Sequence, residues 1–390
     1  MSKRVYLKPV KEKRVMNGHP WVFASDIDRA ERGVRPGDIV TVVAARGRPI
    51  GMALYNSHSQ IMLRMLTDRE MDIDAGFIKE RVRQAISLRR QLGVLGACRL
   101  INAESDGLPA VIVDQYADVL SVQILSLGMA NFQQDIVDTL VEELKPRGIW
   151  ERNDVPVRRL EGMEQSTGLL YGEVPEQVQV TENGLTILVD VKRGQKTGYF
   201  LDQRENRAAI ALFCRDARVL DICTHTGSFA LHAAHYGAKD VTAVDISEVA
   251  IDCAKDNAKA NGFTNIDFVT ANAFDYLRQQ SDAGARYDLI ILDPPAFAKN
   301  KAALHGAFKG YKEINLRALK MLEPGGILVT CSCSQAMQPH LFQDMLQQAA
   351  TDARVGIQVL EWRGPAKDHP MLPAAPETNY LKCVFLRVVK

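Results

Sequence analysis

A buried strand that opens into a glycine-containing turn and then a helix is the feature that most constrains this 390-residue chain. Residues 219–229 have this pattern. In an open α/β sheet a ligand lies beyond the carboxyl ends of the strands, and Gly227 would let the backbone approach it closely. A second predicted strand, 240–244, ends in Asp245, where an acidic residue commonly holds ribose hydroxyls. The pattern predicts a nucleoside-like cofactor at this edge of a sheet.

The turn lacks the glycines of a dinucleotide-binding loop. A G-x-G-x-x-G pattern would need two more glycines, whereas this turn has Thr224 and Thr226 beside Gly227. Without a pyrophosphate cradle, and with Asp221 inside the strand end, the sequence favours S-adenosylmethionine, which has a ribose and an amino acid but no phosphate. A purely structural strand-turn-helix is the alternative, and the next two motifs argue against it.

The second motif, 287–297, is an apolar strand stopped by two prolines. Proline has no N–H for the ladder and ends a central strand, so Asp293 is presented at the carboxyl edge of the sheet. Pro294 and Pro295 would form a rigid wall for a flat base, and Phe297 could stack on that base. The alternative is a proline turn with a capping aspartate.

The third motif, 325–334, is a turn and a β-branched strand with two cysteines, Cys331 and Cys333, at its exit. A metal site would need further thiols or histidines at C-x-x-C spacing, which this segment lacks, so no metal is expected. No disulfide is expected either, because the seven cysteines are scattered and odd in number. Cys331 is equally well explained as a buried inert thiol, whereas Cys333 is predicted to be catalytic.

Pyrimidine chemistry explains why a thiol would be needed. Carbon 5 of a pyrimidine is a poor nucleophile, and thiolate addition to C6 creates an enamine whose C5 can take a methyl group. Asp293 would hydrogen-bond the N3/N4 edge of cytosine. Residues 331 and 333 lie on the same face of a strand, so the alternation of side chains along the strand does not show which cysteine is the nucleophile. Cys333 is preferred because it lies nearer the carboxyl edge.

Five segments together resemble the RlmI-type 23S ribosomal RNA cytosine-C5 methyltransferases, namely 19–23, 102–109, 194–207, 293–295 and 332–334. The resemblance covers nearly the whole chain, and 194–207 is its most specific part. It implies an α/β protein with an N-terminal PUA β-barrel (1–72), a small central α+β domain (73–187) and a C-terminal Rossmann-like class I methyltransferase domain (188–390). It also implies that Cys333 is the nucleophile.

The resemblance and the motifs together give the predicted site. Catalysis is assigned to Cys333 and Asp293. The S-adenosylmethionine-binding residues are predicted to be Asp221, Thr224, Thr226, Gly227, Ser228, Phe229, Asp245, Asn272, Ala273, Asp293, Gln203 and Arg204. The residues predicted to contact the substrate are Pro294, Pro295, Phe297, Tyr199 and Lys196. Whether Gln195, Lys196 and Arg204 meet the cofactor carboxylate or RNA phosphate stays open.

The chain departs from related enzymes in two places. Two-cysteine RNA methyltransferases place a second cysteine after the proline of the aspartate-proline motif for product release, whereas this chain has Pro295 and Ala296. Release must therefore use another base or water. Many such enzymes have an aspartate facing the adenine amino group after the third strand, where this chain has Asn272. The amide oxygen of Asn272 could still accept that N–H.

The charge distribution is asymmetric. Residues 1–100 carry 19 Lys and Arg against 10 Asp and Glu, although the whole chain has a net charge of only +1. The first residues hold a basic tail that comprises Lys3, Arg4, Lys8, Lys11, Lys13 and Arg14. We expect this end to contact 23S ribosomal RNA. A solvated edge strand is the alternative.

Periodicity places elements outside the three motifs. Strands are predicted over 39–43, 50–55, 61–66, 110–113, 119–124, 148–151 and 177–181, and helices over 77–92 and 129–144. Residues 185–191 lead into the methyltransferase half. The C-terminal half should alternate strands and helices in a parallel sheet. No apolar run of membrane-spanning length is present, so a cytoplasmic protein with no membrane role is expected.

Two other classes of function remain at this stage. A methyltransferase acting on a guanine or adenine nitrogen would also carry the 293–295 motif and needs no thiol. A non-catalytic RNA-binding assembly protein would keep the basic end without needing S-adenosylmethionine. The sequence does not fix the modified nucleotide or the oligomeric state, and a homodimer is one state it allows.

Overall fold

The computed structural model describes residues 2–298 and 300–389. It divides into two compact units. The first comprises the chain up to Val180 with Val189–Leu201 and Lys367–Thr378, and the second comprises Thr181–Leu188, Asp202–Ala366 and the chain from Asn379 onward. The three-domain division predicted from sequence stays a prediction.

The amino-terminal part of the first unit is a six-stranded sheet in the order β2-β6-β5-β4-β1-β3. Its elements are β1 (Arg4–Leu7), α1 (Glu12–Met16), β2 (Trp21–Phe23), β3 (Ile27–Ala30), β4 (Ile39–Val43), β5 (Pro49–Tyr55) and β6 (Ile61–Thr67). Alternating residues such as Val5, Val40 and Leu63 point into one apolar core. The three strands predicted here are confirmed.

The same unit contains a five-stranded sheet in the order β11-β10-β9-β8-β7. Its elements are α2 (Ala75–Gln91), β7 (Ala97–Asn102), β8 (Val111–Tyr116), β9 (Val119–Ile124), α3 (Leu127–Ala130), α4 (Gln133–Leu144), β10 (Gly148–Arg152), α5 (Val157–Leu160) and β11 (Thr167–Gly172). Helix α2 begins where the Asp74 carboxylate accepts the Phe77 N–H at 2.9 Å. The single helix predicted over 129–144 is wrong, because the chain breaks between α3 and α4. A hairpin of β12 (Val178–Glu182) and β13 (Leu185–Val189) follows.

The second unit is built around a seven-stranded sheet in the order β16-β15-β14-β17-β18-β20-β19. Its elements are α6 (Arg204–Ala209), β14 (Arg218–Ile222), α7 (Ser228–His235), β15 (Asp240–Asp245), α8 (Glu248–Ala260), β16 (Ile266–Thr270), α9 (Ala273–Asp282), β17 (Tyr287–Leu292), α10 (Leu304–Lys320), β18 (Leu322–Ser332), α11 (Pro339–Ala353), β19 (Ile357–Arg363) and β20 (Lys382–Val388).

This sheet is mostly parallel, with one reversed strand. Strands β14 to β18 pair in parallel, as the alternation of strands and helices predicts. Strand β20 instead pairs antiparallel with both β18 and β19. The prediction of a parallel sheet is therefore corrected at this edge. Apolar residues pack on both faces of the central strands, which is why these strands read as continuous hydrophobic runs. No helix among the described residues is long and apolar enough to cross a membrane.

Candidate active site

Four parallel strands of the second unit end at one level. Ile222 of β14 lies opposite Val244 of β15 and Leu292 of β17, and Leu292 lies opposite Thr330 of β18. The residues that follow these positions therefore meet at the carboxyl edge of the sheet, where open α/β sheets bind ligands. The three sequence motifs are brought together by this register.

Asp221 organises the turn after β14. The carboxyl group is fully buried, and its Oδ2 accepts the Thr224 hydroxyl at 2.5 Å and the Ala230 N–H at 3.0 Å. Gly227 stands at the start of α7 with φ +84°, and a Cβ there would lie 3.1 Å from the Ala254 Cβ. The turn therefore requires glycine at this position because of both its backbone angle and its close packing.

Two buried polar atoms beside this turn are suited to binding a ligand. Within 2–298 and 300–389, Asp221 Oδ1 and Thr226 Oγ1 meet no hydrogen-bond partner. Buried polar groups are almost always paired, and unpaired ones cost about 1–3 kcal/mol. An acceptor and a hydroxyl left in this way fit the amino acid part of S-adenosylmethionine, whose ammonium is a donor.

Asp245 ends β15 and faces the same turn. Its Oδ2 accepts the His225 N–H at 2.9 Å and its Oδ1 accepts the Ser247 N–H at 3.0 Å. Each carboxylate oxygen has a second lone pair that a ribose hydroxyl can use. Asp245 thus stabilises the turn through these hydrogen bonds and can also bind a ligand. The stabilising role could not be predicted from the sequence.

The edge of the sheet is electrostatically negative. Burial raises the pKa of the Asp221 carboxyl to about 7, and the charges of Asp293 and Asp245 push it in the same direction. The same three carboxylates add to burial in raising the pKa of the Cys223 thiol. Grouped carboxylates stabilise a cation between them. S-adenosylmethionine carries a sulfonium and an ammonium, so the residues present fit this cofactor.

A chain of side-chain hydrogen bonds holds Asp293. Its Oδ1 accepts Gln203 Nε2 at 3.0 Å, Gln203 Oε1 accepts Asn206 Nδ2 at 2.6 Å, and Asn206 Oδ1 accepts Arg363 Nε at 2.8 Å. Gln203 is buried. Gln203 therefore orients Asp293, a role that the sequence analysis did not give it.

The loop after Asp293 is packed rather than open. Pro294 is buried and Pro295 is exposed. The Phe297 ring centroid lies 4.6 Å from that of Tyr311 and 5.7 Å from that of Phe274. Phe297 is thus part of an aromatic cluster, and its contact with a base stays a prediction.

The two cysteines at the exit of β18 lie in different surroundings. Cys331 is fully buried opposite Cys383, and burial raises the pKa of its thiol. Cys333 follows the last strand residue, Ser332, and is only partly buried. The structure separates two thiols that strand parity alone could not.

Several residues predicted to bind the cofactor have structural roles. Asn272 caps α9, because its Oδ1 accepts the Phe274 N–H at 2.9 Å and the Asp275 N–H at 3.4 Å. That oxygen is the atom expected to meet the adenine amino group. Ala273 begins α9. Ser228 and Phe229 begin α7, where Ser228 is buried and Phe229 packs into an apolar core. Their roles toward the cofactor stay predictions.

The 194–207 segment is divided between the two units. In the first unit, Tyr199 is buried, and its N–H donates to the Tyr116 hydroxyl at 3.1 Å. Lys196 is exposed, with its ammonium 4.3 Å from the centre of the Phe200 ring. In the second unit, Arg204 is half-buried at the start of α6. The assignment of Tyr199 and Lys196 to the substrate stays a prediction.

Comparison with known sequences decides the family. A family described as S-adenosylmethionine-dependent methyltransferase matches residues 151–386, and a PUA-like domain matches 5–68. A protein of Aeromonas salmonicida named ribosomal RNA large subunit methyltransferase I is 43% identical, over 99% of this chain and 100% of its own. One of Shewanella amazonensis with the same name is 44% identical over all of both chains. The chain belongs to the RlmI family. It is an S-adenosylmethionine-dependent methyltransferase with an N-terminal PUA-like domain, and the predicted fold class and cofactor are confirmed.

Solved structures agree with the RlmI-type fold. A putative S-adenosylmethionine-dependent methyltransferase from Streptococcus mutans superposes with a TM-score of 0.85 at 21% identity, over 99% of this chain and 100% of that chain. A putative methyltransferase complexed with S-adenosylhomocysteine gives a TM-score of 0.86, also at 21% identity and with the same coverage. At this identity the likeness concerns the fold alone.

Proposed function

We propose that this RlmI-family protein methylates C5 of a cytosine in 23S ribosomal RNA, with Cys333 as the nucleophile. One observation carries the proposal: Cys333 is a partly buried thiol past the end of β18, on the edge where Asp221, Asp245 and Asp293 gather. Cys331 is fully buried within the sheet. A base-nitrogen methyltransferase would have no use for a thiol at this place.

The chemistry follows from the weak nucleophilicity of C5. The thiolate of Cys333 adds to C6 of the cytosine, and the electron pair of the C5–C6 double bond moves into the ring. S-adenosylmethionine supplies the electrophilic methyl group that C5 takes up. A base or water then takes the C5 proton, the C5–C6 double bond forms again as the C6–S bond breaks, and the thiolate is released.

Asp293 is the polar contact that favours this addition. Its carboxylate can accept hydrogen bonds from the amino group of cytosine and from N3, once N3 has taken up a proton from solvent to neutralise the negative charge that attack at C6 places on it. Gln203 and Asn206 hold that carboxylate in one orientation. A preoriented acceptor needs no reorganisation during the reaction, which is why this hydrogen-bond chain matters.

The pH dependence of cofactor binding tests the Asp221 assignment. With a pKa of about 7, Asp221 is mostly protonated at about pH 5.5 and half ionised near pH 7. The ligand ammonium stays charged over this range and binds the carboxylate form. We therefore expect the Kd for S-adenosylmethionine to fall about tenfold from pH 5.5 to pH 7, measured by calorimetry. Asp221→Asn should bind weakly with a flat profile, and a wild-type profile in that variant would remove Asp221 from the site.

Exposed basic residues of the first unit are the proposed RNA contacts. Many of the basic residues in 1–100 are used internally, for example Arg64 with Glu161 at 2.9 Å and Arg89 with Asp106 at 2.6 Å, both pairs buried. Arg46 and Arg48 lie exposed in the β4–β5 turn. Glu12 Oε2 accepts the Ala45 N–H at 2.6 Å, so α1 lies beside this turn. We define Lys13, Arg46 and Arg48 as the basic patch.

Salt dependence tests the basic patch. If Arg46 and Arg48 each neutralise one phosphate, the double variant Arg46→Gln/Arg48→Gln should weaken RNA binding and lower the slope of log K against log salt by about 1.4 to 1.8. Lys255→Gln, an exposed charge on α8, is the matched control and should leave the slope unchanged. Equal slopes for the double variant and wild type would show that RNA binds elsewhere.

The substrate is tested in cells. Mass mapping of ribosomal RNA from a deletion strain should lose one 5-methylcytosine of the 23S molecule and regain it on complementation. Loss of a methylated purine instead would support the base-nitrogen alternative, and no loss would support a non-catalytic assembly role. A ribosomal substrate implies action in the cytoplasm. A homodimer stays a prediction, to be measured by sedimentation.

A further inference from the structure

A buried lysine borders the strand that leads to the thiol. Lys382 opens β20, lies opposite Ser332 of β18, and is 2% exposed. Lysine is almost never fully buried, because removing its charge from water costs several kcal/mol. The other side chains of β20 that face the core are apolar. A charge at this place therefore needs an explanation.

The contacts of the Lys382 amine satisfy either protonation state. Nζ donates to the Ser334 carbonyl oxygen at 2.7 Å and to the Tyr380 carbonyl oxygen at 2.8 Å. A neutral amine has two N–H groups and a lone pair, whereas an ammonium has three N–H groups. The two carbonyls therefore take two hydrogens in both states. The neutral amine therefore keeps a free lone pair, and the ammonium keeps a third N–H.

Cys333 is the ionisable neighbour of this amine. It precedes Ser334, whose carbonyl binds Nζ, and its charge acts on Lys382. Burial lowers the pKa of Lys382 to about 8, and Cys333 opposes that shift. The lysine can thus exchange a proton with a thiol near neutral pH.

Two tyrosines and a carboxylate also lie around this strand end. Tyr311 of α10 is neutral, since burial raises its pKa, and its hydroxyl lies 2.9 Å from Ser334 Oγ. The Tyr380 hydroxyl donates to Asp202 Oδ2 at 2.6 Å. Burial raises the pKa of the nearby Cys331 thiol, and the charge of Asp293 adds to this shift. The ammonium of Lys382 is a cation that can offset this negative charge when Cys333 ionises.

We propose that Lys382 is the base that generates and holds the Cys333 thiolate, an inference that rests on the proposed role of Cys333 as the nucleophile. The neutral amine accepts the thiol proton: the S–H bond breaks, an N–H bond forms, and the electron pair stays on sulfur. The resulting ammonium donates its third N–H to the thiolate and keeps its two carbonyl contacts. No other reactant is required.

The strand end is also tied to the Asp293 loop. Ser334 Oγ accepts the Ala298 N–H at 3.0 Å, so the segment that follows Pro294 and Pro295 is bound to the residue beside Cys333. Lys382, which holds the carbonyl of the same Ser334, thereby fixes the thiol relative to this loop.

The rate of Cys333 alkylation against pH tests the inference. Full-length, RNA-free protein is treated with iodoacetamide from about pH 5.5 to pH 9.5, and modification of Cys333 is followed by peptide mass spectrometry. We expect a wild-type midpoint below the ordinary thiol pKa of about 8.5. In Lys382→Met the midpoint should rise by at least about one unit, with a roughly tenfold slower reaction at pH 7. Tyr311→Phe, which alters the same strand end without changing a charge, should keep the wild-type midpoint.

The outcomes separate this inference from the proposed function. A folded Lys382→Met protein with the wild-type profile, or a wild-type midpoint at or above the ordinary thiol value, would overturn the role of Lys382. If Lys382→Met does not fold, Lys382→Arg and Lys382→Gln are compared instead. The Cys333 alkylation midpoint should stay low with arginine and rise with glutamine. Equal midpoints in the two variants would overturn the role of Lys382. Because alkylation involves no RNA, a low Cys333 midpoint without methyl transfer through Cys333 would refute the proposed function and leave the lysine–thiol pair standing.

Discussion

Cys333→Ala should reduce methyl transfer to 23S ribosomal RNA by at least about 1,000-fold while leaving the Kd for S-adenosylmethionine unchanged. Removing a nucleophile eliminates the covalent route, and the residual rate comes only from binding and orientation. Incorporation of a labelled methyl group under single-turnover conditions measures the loss, and calorimetry measures cofactor binding. The partial burial of Cys333 makes structural collapse of this variant unexpected.

Cys331→Ala is the matched control two residues away. The thiol of Cys331 is fully buried, and burial raises its pKa, so it is a poor nucleophile. We expect substantial activity in this variant, with a modest loss of stability from the cavity. Robust turnover by Cys333→Ala would move the interpretation to base-nitrogen methylation, in which Asp293 would be the main polar contact to the target.

Asp245→Ala should weaken S-adenosylmethionine binding by about 2–3 kcal/mol, which is roughly 30- to 150-fold in Kd. The ribose hydroxyls would lose a charged acceptor, and the turn would lose the brace that Asp245 gives to the N–H groups of His225 and Ser247. Calorimetry with the cofactor measures the effect, and thermal unfolding shows whether the fold persists.

Asp240→Ala provides the control for removing a carboxylate from the same strand. Asp240 begins β15 at the opposite end and is exposed, so its loss should leave the Kd within about twofold of wild type. A folded Asp245→Ala protein with wild-type affinity would remove Asp245 from the cofactor site.

Much of the fold could be predicted because periodicity is local. The strand at 39–43 and the strand at 119–124 match β4 and β9 residue for residue, since short apolar runs bounded by turn residues fix strand position. The reversal of β20 and the break between α3 and α4 could not be predicted. Strand direction depends on the path of the connecting chain, and a helical pattern of apolar residues continues across the break.

The site was predicted unevenly for a physical reason. Residues at strand ends, such as Asp245 and Asp293, follow from local sequence, because parallel strands end at one edge. Residues that act through distant partners do not: Gln203 reaches Asp293 across 90 positions, and Lys382 reaches Ser334 across 48. A lysine within an apolar strand was the signal that could have singled out Lys382. Composition likewise gave the net positive charge of residues 1–100. It did not show which arginines form buried ion pairs, as Arg64 and Arg89 do.

The most direct test of a thiol-dependent C5 mechanism is covalent trapping with RNA that carries 5-fluorocytosine at the target. Fluorine cannot leave as a proton does, so the methylated adduct should remain attached to sulfur and survive denaturing electrophoresis. We predict a wild-type adduct that peptide mass spectrometry maps to Cys333, an equal adduct in Cys331→Ala and none in Cys333→Ala. Methylation of ordinary RNA by the wild-type protein without any adduct on the fluorinated RNA would contradict the account.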